Sequence, residues 1–142
     1  MKAKGIIKLD ETGLRIILDK DFNKYYQWLI HRYYNYVVKT TVPAHGAHIS
    51  IVTKNLHGDK FNLELLKKYD SLEVEFDYDP YIQTGGRGFT NYWLKVEFPL
   101  GHEIKKECDI IEDNFLGFHI TVANTKNEDN YGQWKKLNRA IK

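Results

Sequence analysis

Apolar and charged residues alternate strictly over residues 72–78: Leu72, Val74, Phe76 and Tyr78 are apolar, and Glu73, Glu75 and Asp77 lie between them. A two-residue period predicts a strand with one dry and one wet face. Tyr92, Leu94, Val96 and Phe98 keep the same beat against Trp93, Lys95 and Glu97, which predicts another such strand. Apolar runs at 6–9 and 14–18 flank Asp10-Glu11-Thr12-Gly13 and predict a hairpin around a tight turn. The period lengthens at 21–36, where Phe22, Tyr25, Tyr26, Leu29, Ile30 and Tyr33 recur every three or four residues. This predicts an amphipathic helix capped by Asp19 or Asp21, with Lys24, Gln27, His31 and Arg32 mostly outside. Phe61, Leu65 and Leu66 predict a second helix over 61–69. The β-branched run 37–42 is interrupted by Pro43 and Gly46 before 47–52, which reads as a buried strand. Residues 104–111 read as a short strand and 117–123 as a strand resembling 47–52. Residues 83–88 read as a glycine-rich loop, 124–130 as a polar loop, and 131–141 as a short basic helix.

The chain has 142 residues, 42% of them hydrophobic and 28% charged, enough for one core and hence a single domain over 1–142. No apolar run reaches the roughly 18 residues of a membrane span, and no signal peptide opens the chain, so a soluble cytoplasmic protein without a membrane partner is expected. Cys108 is the lone cysteine and reads as a small half-buried residue, in keeping with a reducing compartment. A net charge of +2 is too small for a protein that grips duplex DNA through many phosphates, and suits a small anionic ligand better. The aromatic content of 14% serves either a core or base stacking.

The chemistry is carried by a repeated pattern. Residues i and i+2 of a strand share a face, so His48 with Ser50, and His119 with Thr121, each present an imidazole beside a hydroxyl. Ser and Thr number 10 of 142, so two of the six histidines meeting this spacing by chance has a probability of roughly 5%, before the apolar flanks are counted. Two imidazoles that titrate near neutrality can share the work of phosphodiester cleavage, one deprotonating a 2′-hydroxyl and the other protonating the departing 5′-oxygen. Either can take either role. Ser50 and Thr121 would donate to the non-bridging oxygens as charge builds on them, and no metal is required.

The segments Ala47-His48-Ile49-Ser50-Ile51 and Phe118-His119-Ile120-Thr121-Val122 resemble the paired strand motifs of the 2H phosphoesterase superfamily. Within it, the compact size, the glycines Gly46 and Gly117 and a tail bearing Glu128 and Trp134 look most like the phage anti-CBASS nucleases. Those proteins destroy the cyclic nucleotide signals of bacterial abortive defence. The resemblance implies an α+β fold of two lobes, with antiparallel sheets lining a central cleft. It also implies metal-independent cleavage of 3′-5′ bonds in a cyclic di- or trinucleotide, with no cofactor. His48, Ser50, His119 and Thr121 would be catalytic, and Trp93, Glu128 and Trp134 would contact substrate. Trp93 lies on the polar face of its strand, whereas Tyr92 belongs to the apolar set. Action on 2′-5′ oligonucleotides or RNA ends, and a nucleotide sponge without turnover, are the competing expectations.

Two other patterns are weaker. His45 and His48 form an HxxH pair with no helix or nearby carboxylate to complete a zinc site. The run from Gln83 through Arg87 to Gly88 lacks the GK[S/T] of a phosphate loop, although Arg87 could reach a substrate phosphate.

Overall fold

Seven strands, all paired antiparallel, organise the residues described in the computed structural model, which are 1–33, 46–85, 89–111 and 117–126. Strands β1 (Lys2–Leu9) and β2 (Gly13–Ile17) form the expected hairpin. Asp10 builds its turn: Oδ1 accepts from the Thr12 N–H at 2.7 Å, the Thr12 hydroxyl at 2.6 Å and the Gly13 N–H at 3.0 Å. These donors, the Thr12 hydroxyl first, hold the Asp10 carboxyl down at about 2. Helix α1 (Lys20–Tyr33) follows, with Asp19 Oδ1 accepting from the Asp21 N–H at 3.0 Å as a cap. Its buried stripe is narrower than the spacing predicts. Asn23, Tyr26 and Ile30 are buried, while Tyr25 and Tyr33 are exposed, the Tyr25 ring standing edge-on to Tyr26 at 5.0 Å.

Strand β3 (His48–Thr53) leads into a single helical turn, α2 (Lys54–His57), capped by the Thr53 hydroxyl. The helix expected over 61–69 is shorter: Asn62 caps one α turn, α3 (Leu63–Leu66), and the chain tightens to a 3₁₀ turn at Lys67–Tyr69. Strand β4 (Glu73–Tyr78) matches its alternation, as does β6 (Phe89–Glu97). Between them, Gln83–Gly85 forms strand β5 on the edge of β6, where a loop was expected.

The expectation of a strand at 104–111 is overturned. Pro99–Glu107 is a helix, α4, and Pro99 occupies a first-turn position where its missing N–H costs nothing. Leu100, Ile104 and Cys108 recur at helical spacing, and Ile104 and Cys108 are buried. Strand β7 (Phe118–Lys126) closes the described chain and extends three residues into the expected polar loop. The expected elements at 37–42 and 131–141 lie outside the described residues.

The strands run in the order β4-β1-β2-β3-β7-β6-β5, and β4 also pairs with β6 through Asp77↔Glu97 and Tyr78↔Val96. Six strands therefore close into a barrel, with β5 appended to β6, in a mixed α+β fold whose sheet is antiparallel throughout. Register aligns the apolar positions in rows: Ile7 faces Ile16, Ile16 faces Ile49, and Leu94 faces Ile120, all completely buried. Each such side chain contributes about 1.5–3 kcal/mol by leaving water. Since alternate residues point the opposite way, this apolar registration commits the intervening polar side chains to a common face. No helix among the described residues is long and apolar enough to cross a membrane.

Candidate active site

His48 in β3 and Thr121 in β7 are direct partners across the antiparallel ladder. Opposed residues project to the same side of a sheet, and so do residues two apart on one strand. His48, Ser50, His119 and Thr121 therefore share one face, between the buried Ile49, Ile51, Phe118, Ile120 and Val122, which point the other way. All four are half-buried. The two histidines are diagonal neighbours across this pair. Segments 71 residues apart in sequence thus bring two imidazoles and two hydroxyls to one patch.

The two halves of the patch share a backbone device. Gly46 and Gly117, each two residues before a histidine, have φ of 68° and 62°. This left-handed geometry favours glycine, and it lets the carbonyl turn back onto the ring. Gly46 O lies 2.8 Å from His48 Nδ1, and Gly117 O lies 3.4 Å from His119 Nδ1. A carbonyl can only accept, so each Nδ1 carries the proton and a neutral ring keeps its lone pair on Nε2. Burial makes the charged form of His119 costly and pushes its pKa below the ordinary histidine value. The Lys105 ammonium acts in the same direction, and the Gly117 carbonyl opposes both.

Register also identifies the flanks. On β2, Ile17 faces His48 and Arg15 faces Ser50. Arg15 is buried and committed to the hairpin turn, with Nη1 3.3 Å from the Asp10 carboxylate and Nη2 3.0 Å from Thr12 Oγ1. On β6, Trp93 faces Thr121 and Lys95 faces His119. Trp93 thus adjoins the patch. Tyr92 is buried in the core, as its place in the apolar set predicts. Glu128, Trp134, His45 and Arg87 lie outside the described residues. The turning role of Gly46 and Gly117 was visible only as a glycine two positions before each histidine, and Lys95 carries no signal until the register is known. Among the described residues, no three His, Cys, Asp or Glu side chains gather in a cluster able to hold a metal ion. Compared with protein-family models, with curated proteins and with solved structures, the chain matches none of them.

Proposed function

We propose that the protein is a phosphodiesterase in which His48 and His119 serve as general acid and base across a single phosphodiester. The observation that carries this reading is the His48↔Thr121 pair, which turns two distant motifs into one patch of matched composition. A phosphate lying between β3 and β7 meets an imidazole from each strand, and the Ser50 and Thr121 hydroxyls donate to its non-bridging oxygens as the pentacoordinate state forms. The lowered proton affinity of His119 suits the base, since it stays neutral and able to accept at pH 7. His119 then takes the 2′-hydroxyl proton on Nε2, the oxygen attacks phosphorus, and His48, entering as the imidazolium, gives its Nε2 proton to the departing 5′-oxygen. The first product is a 2′,3′-cyclic phosphate. Exchange of the two roles admits water and opens it to a terminal phosphate.

The substrate in this reading is a cyclic di- or trinucleotide with 3′-5′ linkages, cleaved in a host cytoplasm to silence the CBASS response to phage. That setting is supported by the resemblance of 46–50 and 117–121 to the 2H phosphoesterases, whose two lobes would meet here where β3 lies beside β7. Incubation with a panel of cyclic di- and trinucleotides and 2′-5′ oligoadenylate, with and without EDTA, tests it. Expected are cleavage of a cyclic substrate, no effect of chelator, and a loss of 10²-fold or more, on the order of general acid-base contributions, in His48→Ala and His119→Ala. Activity abolished by EDTA and restored by zinc, or binding with no product, would reject the reading. Cleavage of the 2′-5′ oligomer alone would reassign the substrate.

A further inference from the structure

Strand β6 lies beyond β7 from β3, one strand spacing of about 4.8 Å farther out, and its polar face turns the same way. Trp93 opposite Thr121 and Lys95 opposite His119 place an indole and an ammonium beside the patch. The indole is seated. A Cβ built on Gly85 of β5 would come within 3.0 Å of Trp93 Cη2 and 3.3 Å of Cζ3, so the missing side chain there is what lets the six-membered ring settle on β5. Gln83 of the same strand faces Trp93 directly. Lys95 is exposed, and no ion pair engages it among the described residues, whereas Arg15 on the opposite flank is spent on Asp10. The acidic pair Asp77 and Glu97 occupies the next row along, so favourable ground for an anion ends at Lys95.

We infer that Trp93 and Lys95 form a second subsite, which stacks a base and pairs with a phosphate other than the one cleaved. The inference rests on the phosphodiesterase reading: with the scissile group between β3 and β7, an ammonium one strand farther out is placed for the neighbouring phosphate. An indole fixed by its seat stacks a base with little loss of freedom, and stacking tolerates any base. The subsite therefore selects nucleotides that carry at least two phosphodiester groups over those that carry one.

Calorimetric binding of a 3′-5′ cyclic diadenylate and of adenosine 2′,3′-cyclic monophosphate to the full chain and to Lys95→Gln tests this, with His48→Ala present in both to prevent turnover. The Lys95→Gln change is expected to weaken the two-phosphate ligand at least about tenfold more than the one-phosphate ligand, the low end for a hydrogen bond to a charged group. Lys95→Arg should recover most of that loss. Equal losses on both ligands, or a loss below about twofold on the cyclic diadenylate, would overturn the inference. Cleavage assays on the unmodified protein judge the phosphodiesterase reading separately, because the binding ratio is measured without turnover.

Discussion

His119 is half-buried on a strand whose neighbours are fully buried, and this environment sets its chemistry. Loss of hydration lowers its proton affinity, and the Lys105 ammonium lowers it further. If His119 is the base, the acidic limb of the kcat/KM profile falls below pH 6.5, because activity disappears only as that ring protonates. Lys105→Gln should move the limb upward by less than about one unit, as the repulsive cation is removed. The same shift bears on stability. A histidine whose folded pKa is depressed lets the unfolded chain bind more protons, so stability is full above the unfolded value near 6.5 and declines as pH falls toward the lowered folded value. Urea midpoints at pH 7.5 and 5.5 should differ less in His119→Gln than in the unmodified chain. Behind each imidazole stands a glycine at positive φ with nothing within 4 Å of a built Cβ, so strain alone opposes substitution. Gly46→Ala and Gly117→Ala should each cost about 1–2 kcal/mol in denaturant titrations. They should also slow cleavage, since the carbonyl that holds Nδ1 turns with the backbone.

At the scale of elements, α4 anchors the start of β7. A Cβ on Gly101 would meet Phe118 Cζ at 2.5 Å and Phe98 Cδ2 at 2.8 Å, so the helix rides against the residue that precedes His119. Two magnitudes compete in Gly101→Ala: helix propensity returns about 1 kcal/mol, and overpacking removes about 1–3 kcal/mol. Gly101→Val regains less propensity and drives more atoms into Phe118 and Phe98, and should be clearly the less stable of the two in thermal or urea unfolding. This helix also shows where pattern reading stops. Alternation marked β4 and β6 because their wet faces carry charge at every second position. In α4, Leu100, Gly101, Ile104 and Cys108 are separated by His102, Glu103 and three further charged residues, and Pro99 reads as a breaker unless it is recognised as a helix start. Strand β5 has one β-branched residue among Gln83, Thr84 and Gly85, and forms because β6 offers an edge. The four residues of the patch were legible because H-x-[S/T] needs only strand geometry to align its two members. Lys95 and the Gly85 seat of Trp93 were not, because an exposed lysine and a loop glycine acquire meaning only from the strand beside them.

For the whole molecule, closure decides what the strands can share. The β4–β6 pairing joins the ends of the sheet, and long ladders run from β1 to β2, β2 to β3 and β6 to β7. Between β3 and β7 the described residues show one registered pair, and that pair contains His48 and Thr121. Among the described residues, the seam with the fewest registered pairs is thus the one where the candidate chemistry sits. A rung missing from a ladder can be replaced by anything that grips both rails, and a nucleotide held by both imidazoles would do so. Bound ligand should then slow amide exchange at 48–50 and 119–121 more than in β1 or β4, with the seam tightening around its own cargo.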